Sequence, residues 1–346
     1  MHADAPSELS LPRLDLRALG RRALVPGLAA AGVLVAVVAL GGPAQAFADA
    51  LQRAVDADPR WVAAAAAFEL LSFGGYVLLL WLVAGRATAR MGPRESLEVT
   101  LGGAAATRLM PTGGVGGAAL TLWALRRTGL DARRAGRTLL SFLVVLYAVF
   151  LGAIVASGTL LAFGAGDVHG PLALTALPAA LAAVGIAVPL TLGLRHRLRG
   201  ARASDAGPAA GRVRSGARLL GEATDDALRV VGSADPRVLG ALAWWAFDAA
   251  VLWAMLDAFG SQVPLLVVVL AYFVGQAGNM VPIPGAVSGG ITGVLLAFGI
   301  DADLALVSVL GYRAVAIWLP APLGLAALAA LRTTIARWAE SPAASA

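Results

Sequence analysis

The sequence lacks residue types on which many catalytic sites depend. It contains no cysteine and three histidines, His2, His169 and His196, all of which lie outside the apolar runs. Zinc sites draw their ligands, and thiol chemistry its nucleophiles, largely from these two residue types. The composition therefore argues against a redox or zinc enzyme, and we expect neither a metal nor a cofactor.

Charge is also scarce, since 14% of the residues are charged and 59% are hydrophobic. Soluble domains carry about 25% charged residues, so water is not the main solvent of this chain. Lysine is absent and all 27 basic residues are arginine, a usage typical of a GC-rich bacterial genome. The arginines lie in short segments between apolar runs, which is typical of membrane orientation signals rather than of nucleic-acid binding.

Apolar runs long enough to cross a bilayer, which takes about 20 residues, recur along the chain. They predict six full spans, at 23–42, 61–84, 138–163, 172–194, 238–259 and 304–331. Two further apolar stretches, 95–125 and 265–298, are interrupted by clusters of proline and glycine. The arms on either side of each cluster are too short to cross.

Arginine placement predicts the orientation of the spans, because cytoplasmic loops carry the excess of basic residues. Most arginines fall on one side when both termini are cytoplasmic. This placement requires 95–125 to enter and leave from inside and 265–298 to enter and leave from outside, although two thin spans or a surface loop stay open for either stretch. We predict an all-α polytopic protein of the bacterial cytoplasmic membrane, with two oppositely oriented re-entrant helical hairpins.

The spans divide the chain into two membrane halves joined by one long loop. The predicted parts are a cytoplasmic arm (1–22), a first half (23–194), a cytoplasmic loop (195–237), a second half (238–331) and a cytoplasmic tail (332–346). Within the loop, residues 213–231 place apolar side chains opposite Glu222, Asp225 and Arg229. This segment is either an interfacial helix against anionic headgroups or a solvated linker.

The two halves repeat each other at low identity. Three pairs of segments align: Ala67-Phe68-Glu69 with Ala246-Phe247-Asp248, Met110-Pro111-Thr112-Gly113-Gly114 with Val281-Pro282-Ile283-Pro284-Gly285, and Thr128-Gly129-Leu130-Asp131-Ala132 with Phe298-Gly299-Ile300-Asp301-Ala302. Because arginine placement orients the two copies oppositely, the pattern predicts an inverted-topology repeat. In such repeats, broken helices meet near the midplane and form a substrate site.

Each break frees polar backbone groups at membrane depth, because proline removes an amide donor and glycine relaxes the backbone. A helix that begins after a break also presents unpaired N–H groups, which suit a phosphate or carboxylate. Gln276 and Asn279 lie one turn apart before the second break and either contact a headgroup or satisfy the broken backbone. The candidate substrate contacts at the breaks are Pro111, Gly113, Gly114, Gly116, Gly117, Pro282, Pro284 and Gly285.

Four charged residues, Glu69, Arg108, Asp248 and Arg313, fall within apolar segments. A charge at the centre of a membrane helix costs about 2.5–3.5 kcal/mol on the mildest scale, so each is a functional candidate. Two interpretations stay open. The residues form neutralising pairs, preferably Arg313 with Asp248 and Arg108 with Glu69, or the arginines bind a headgroup phosphate through their planar guanidinium groups.

Several motifs in the second half resemble the transmembrane, flippase-like region of lysylphosphatidylglycerol synthases and their stand-alone relatives. They are Asn279-Met280-Val281-Pro282-Ile283-Pro284-Gly285, Ala302 to Leu306, Gly311-Tyr312-Arg313 and Trp318-Leu319-Pro320. The resemblance implies translocation of a lipid. The aminoacyltransferase domain of the synthases is not expected here, so the chain is not expected to be an enzyme. Ala286, Ser288 and Ile291 depart from the family motif, Ile291 standing where an acidic residue is expected.

The leading functional hypothesis is a flippase-like protein that translocates a phospholipid or polyprenyl-linked lipid, with membrane lipids of anionic headgroup as its partners. Two alternatives are a small-solute or ion transporter built on the same repeat, and a non-transporting membrane subunit of a lipid- or glycan-modifying system. A homodimer and a separate lipid- or glycan-modifying enzyme stay open as further partners. No nucleic acid is expected.

Overall fold

The computed structural model describes residues 57–109, 115–165, 168, 170–199, 212–280 and 285–340. This part of the chain is helical and contains no strand, as the apolar runs predict. The predicted span at 23–42 lies outside the described residues, as do the cytoplasmic arm and the last six residues of the tail.

The helices follow one another with short connections. The α-helices of the described residues are α1 Pro59–Ala87, α2 Pro93–Leu109, α3 Val115–Arg127, α4 Ala132–Ala162, α5 Leu172–Arg199, α6 Arg212–Gly232, α7 Gly240–Ala258, α8 Leu265–Gln276, α9 Ala286–Ala297, α10 Ala302–Trp318 and α11 Pro320–Glu340. Short 3-10 helices, Pro236–Leu239 and Ala277–Met280, precede α7 and follow α8.

Five helical stretches are long and apolar enough to cross a membrane. They are Pro59–Ala87, Ala132–Ala162, Leu172–Leu198, Pro236–Ala258 and Ala302–Glu340, and each coincides with a span predicted after residue 60. The outer face of α5 exposes Leu177, Leu181 and Val184. A continuous apolar face of this kind is unusual on a protein surrounded by water, and lipid chains would cover it.

The interrupted stretches form two pairs of short helices, α2 with α3 and α8 with α9. In the first pair, a Cβ atom at Gly103 would lie 3.3 Å from Gly117 Cα. In the second, a Cβ atom at Gly278 would lie 2.8 Å from the carbonyl carbon of Ala286. Glycine therefore permits close approach of two backbones in both pairs, and each pair folds back as a helical hairpin.

Contacts between basic segments define one end of the bundle. The Arg86 guanidinium donates to Ser233 Oγ at 2.7 Å, and Arg133 donates to Glu222 Oε1 at 2.7 Å. The end of α1, the start of α4 and helix α6 therefore lie together, and we call this the arginine end. Both outer ends of the α2–α3 hairpin connect directly to it.

The opposite end is defined by two further contacts. The Asp58 N–H donates to the Ala258 carbonyl at 3.0 Å, and Gly170 lies against the Phe298 ring. The start of α1, the end of α7, the connection before α5 and the end of α9 therefore meet there. The α8–α9 hairpin follows α7 and precedes α10, so both of its outer ends lie at this opposite end.

Helix α6 covers the amphipathic segment predicted at 213–231, but its acidic side chains do not face solvent. Glu222 and Asp225 are 4% and 6% exposed and form ion pairs with Arg133 and Arg197 of α4 and α5. The Ser141 hydroxyl also donates to the Ala223 carbonyl at 3.0 Å. Helical spacing alone predicts that these acids face solvent. They are buried because arginines of two other helices pair with them.

The hairpins end in the same turn. Gly129 after α3 and Gly299 after α9 have φ of 97° and 83°, in the left-handed region that glycine adopts without strain. An aspartate, Asp131 or Asp301, then occupies the N-cap of the next helix. The aligned Gly-apolar-Asp-Ala motifs therefore have the same backbone course in both halves.

Helices α1 and α7 pack closely through small residues and aromatic rings. The Ser72 hydroxyl donates to the Trp244 carbonyl at 2.8 Å, and a Cβ atom at Gly75 would lie 2.6 Å from Trp244 N. The Phe68 and Phe247 rings stack with centroids 6.0 Å apart. The backbones approach closely where glycine leaves room, as is common for membrane helices.

Candidate functional site

A row of neighbouring polar side chains lies in the otherwise apolar second half of the bundle. Tyr272 on α8 donates its hydroxyl to Asp248 Oδ2 on α7 at 2.6 Å. This distance suits a hydroxyl bound to a carboxylate, for which about 2.5–2.7 Å is usual. Tyr272 is fully buried, so its hydroxyl provides a donor where water is excluded.

This row of polar side chains continues towards the second helix break. The Gln276 amide donates to the Tyr312 hydroxyl at 2.6 Å, and the Asn279 amide donates to Gln276 Oε1 at 2.7 Å. The Tyr312 ring lies edge-on to the Tyr272 ring, with centroids 6.1 Å apart. Tyr272, Gln276 and Asn279 recur at helical spacing, which places their side chains on one face.

Two of the predicted intramembrane charges join this group. Glu69 on α1 is 3% exposed and interacts electrostatically with both tyrosine hydroxyls. Arg313, next to Tyr312 on α10, is partly exposed and acts electrostatically on the Tyr312 hydroxyl. Acids of both halves therefore converge on one pair of tyrosines.

We call this set the polar cluster; its members are Glu69, Asp248, Tyr272, Gln276, Asn279, Tyr312 and Arg313. The preferred pairings of Arg313 with Asp248 and of Arg108 with Glu69 stay predictions. The side chain of Arg108 lies outside what the structure describes, as do Pro111, Gly113, Gly114, Pro282 and Pro284.

The second hairpin brings Asn279 and the start of α9 together. Gly285, at φ 82°, occupies the N-cap of α9, and its carbonyl accepts from Gly289 N–H at 2.7 Å. Ile291, where the family resemblance leads one to expect an acid, is fully buried and lies against Gly275. In this chain that position packs the two arms of the hairpin together.

The first hairpin uses Thr107 as its internal link. The Thr107 hydroxyl donates to the Gly103 carbonyl at 2.9 Å and accepts from the Gly117 N–H at 2.8 Å. The Gly117 amide, a predicted headgroup donor, is therefore engaged within the hairpin. Gly116 lies against the Ala106 carbonyl, so both glycines serve close packing.

The sequence interpretation did not include Tyr272, Tyr312 or Thr107 among the site residues. Tyrosine and threonine are common in apolar helices, where the ring or methyl group packs and the hydroxyl finds a local acceptor. The available signal was spacing, because Tyr272 lies one turn before Gln276 and two turns before Asn279 on α8 and the 3-10 helix that follows.

Long apolar helices and broken hairpins around a polar cluster define a multi-pass α-helical membrane protein. Residues 24–324 match the family described as the lysylphosphatidylglycerol synthase TM region. The match spans most of the chain, so the protein belongs to this family, as the motifs of the second half predict. No curated protein matches the chain.

Proposed function

We propose that this protein translocates a phospholipid or polyprenyl-linked lipid across the bacterial cytoplasmic membrane. The observation that carries the proposal is a row of polar side chains. Hydrogen bonds link the exposed Asn279 through Gln276 to the buried Tyr312, whose ring packs against Tyr272, the donor to Asp248. This row leads from the protein surface beside a helix break into an apolar bundle. Polar groups at membrane depth are costly and typically line a substrate or ion path.

We infer an inverted-topology repeat, and three observations support it. The two hairpins are followed by the same Gly-apolar-Asp turn. The outer ends of the first hairpin lie at the arginine end, and those of the second lie at the opposite end. The third is the stacking of Phe68 on Phe247. When two halves are related by a twofold axis, equivalent residues can contact each other only beside that axis.

This arrangement suggests how a lipid would move. Each hairpin enters from a different face in the proposed topology, so the two breaks meet within the hydrocarbon layer. The headgroup would pass between them and contact Arg313 and Asn279, while the acyl chains stay in the surrounding lipid. The partly exposed position of Arg313 and the exposed position of Asn279 support a path open to lipid.

A reconstitution assay tests this function directly. Purified protein in liposomes should move fluorescent phosphatidylglycerol between leaflets faster than empty liposomes do. Arg313→Ala should reduce the protein-dependent rate at least about tenfold, since a charge-assisted contact contributes roughly 1.5–3 kcal/mol. Arg332→Ala removes an exposed arginine of α11 outside the cluster and should leave the rate unchanged.

Absence of movement with phosphatidylglycerol, phosphatidic acid and a polyprenyl phosphate would contradict the proposal. Uptake of a small anion into the same liposomes without lipid movement would favour the solute-transport alternative. Equal rates for the Arg313→Ala and Arg332→Ala variants would remove Arg313 from the proposed path and leave translocation to other groups.

A further inference from the structure

A second polar site lies at the arginine end, away from the polar cluster. A cavity of about 440 Å³ opens between α1, α4 and α6. Its charged lining consists of Arg86, Arg133, Arg134, Arg137, Arg229, Asp131 and Asp226, and we call it the arginine pocket. Glu222 and Asp225 lie beside the pocket and pair with Arg133 and Arg229. Counted with these two acids, the five arginines and four acids leave a formal charge of +1. Its volume lies within the roughly 300–1,000 Å³ usual for small-molecule sites.

The two aspartates are already engaged by the protein. Asp131 caps α4 and accepts from the backbone N–H groups of Arg133 and Arg134, each at 2.9 Å. These hydrogen bonds hold the Asp131 pKa below its usual value, and the bond from Arg134 has the largest effect. This carboxylate is therefore ionised at neutral pH. Asp226 binds the guanidinium groups of both Arg137, with one contact at 2.6 Å, and Arg229. Each acid therefore orders the arginine segment next to it.

The arginines keep donors that these contacts do not use. A guanidinium carries five N–H groups, and Arg137 directs two nitrogens at Asp226. Arg86 directs one nitrogen at Ser233 Oγ. Within the described residues, no contact of the Arg134 guanidinium is recorded, and this residue is exposed at the mouth of the pocket.

The donors that Arg86 and Arg134 keep, beside a cavity of net positive charge, favour an anionic occupant. The planar fork of arginine matches the oxygen geometry of phosphate, and several arginines together favour it strongly. A carboxylate would match the same fork, but a phosphate group presents more oxygens to the donors that Arg86 and Arg134 keep. Val83 and Val230 complete part of the wall, so the cavity also has an apolar side.

We propose that the arginine pocket binds a phosphate group, presented either by the headgroup of an anionic phospholipid or by a small phosphorylated solute. The site is separate from the polar cluster, and its occupancy does not depend on whether the protein transports lipid. In the predicted topology the pocket faces the cytoplasmic leaflet, where it would hold a headgroup before or after passage.

Binding assays in nanodiscs of neutral phosphatidylcholine test the proposal. One arm measures binding of fluorescent phosphatidic acid placed in the nanodisc, and the other measures binding of glycerol 3-phosphate from solution. The double variant R86Q/R134Q should weaken binding at least about tenfold, because it removes two charge-assisted donors. The matched control, R332Q, lies outside the pocket on α11 and should bind as the unmodified protein does.

The two arms distinguish the source of the phosphate. Binding of the labelled lipid that excess glycerol 3-phosphate does not displace supports a lipid headgroup. Saturable binding of glycerol 3-phosphate that depends on Arg86 and Arg134 supports a soluble phosphate compound. Equal affinity of R86Q/R134Q and R332Q in both arms would overturn the proposal.

A conservative variant keeps the test decisive if R86Q/R134Q does not fold. The variant R86K/R134K preserves both charges but lacks the planar fork, so it should bind phosphate more weakly than the unmodified protein and keep the same melting temperature. Unchanged affinity in R86K/R134K would show that paired guanidinium geometry is not what the pocket recognises. The liposome transport assay is separate, so its failure would leave these binding results standing.

Discussion

Tyr272 illustrates how single side chains make a buried acid tolerable in this bundle. An ionised carboxylate in an apolar environment costs several kcal/mol unless donors surround it. The Tyr272 hydroxyl provides such a donor to Asp248 at 2.6 Å. Tyr272 also fills the core with its ring, so one residue both packs and donates.

We predict that Tyr272→Phe retains the fold but impairs the polar cluster. The ring is preserved, whereas the bond to Asp248 is lost, and a hydrogen bond to a charged group contributes roughly 1.5–3 kcal/mol. The variant should melt at a lower temperature in detergent and should move lipid more slowly in liposomes. Both quantities can be measured on the same purified sample.

Tyr147→Phe provides the matched control for this change. Tyr147 lies on α4, is 42% exposed, and packs one side of its ring against Phe150; within the described residues its hydroxyl makes no hydrogen bond. Removing that hydroxyl should alter neither the melting temperature nor the transport rate. If both tyrosine variants behaved alike, the buried hydroxyl of Tyr272 would have no special role in stability or transport.

At the scale of the element, the hairpins depend on glycine at the positions where two backbones meet. Gly275 on α8 faces α9, and a Cβ atom there would lie 2.7 Å from the backbone nitrogen of Ile291. A flexible side chain can move away from such an overlap, but a backbone atom of a neighbouring helix cannot do so without shifting the helix.

We expect Gly275→Ala to destabilise the protein by about 1–3 kcal/mol, the usual range for overpacking. Gly293→Ala is the control on α9, because no atom lies within 4 Å of the position that its Cβ would occupy. The control should be neutral or slightly stabilising, since alanine favours helix over glycine by up to about 1 kcal/mol. Thermal unfolding followed by tryptophan fluorescence measures the stability of both variants. If Gly275→Ala melted at the same temperature as Gly293→Ala, tight backbone packing at Gly275 would be excluded.

Local patterns predicted the elements better than they predicted the contacts between them. Apolar runs predict the long helices, and the proline and glycine clusters predict the ends of the short helices on either side, because these signals act within one segment of chain. The burial of Glu222 and Asp225 was not predictable in the same way. It depends on Arg133 and Arg197, which other helices bring alongside α6.

The polar cluster was predictable only in part for the same reason. Glu69, Asp248 and Arg313 are conspicuous because charge in an apolar run is costly. Tyr272 and Tyr312 are not, because an aromatic ring is ordinary in such a run and its hydroxyl matters only through a partner on another helix. Ile291 packs against Gly275, at the position where the resemblance led one to expect an acid.

At the scale of the whole molecule, the charge distribution and the hairpin geometry agree with each other. Basic side chains gather at one end of the bundle, where the ends of α1, α3 and α6 meet the start of α4. The outer ends of the second hairpin lie at the opposite end. Cytoplasmic loops are enriched in basic residues, which supports the proposal that the two hairpins enter the membrane from opposite faces.

Cysteine accessibility in intact cells tests this central claim most directly, and the chain contains no native cysteine to remove. Ala89→Cys and Ala132→Cys flank the first hairpin, and Gln262→Cys and Ala302→Cys flank the second; all four positions are exposed. A membrane-impermeant thiol reagent added outside should label the second pair, and the first pair should react only after the cells are opened. Labelling of Ala132→Cys and Ala302→Cys from the same side would contradict the inverted arrangement.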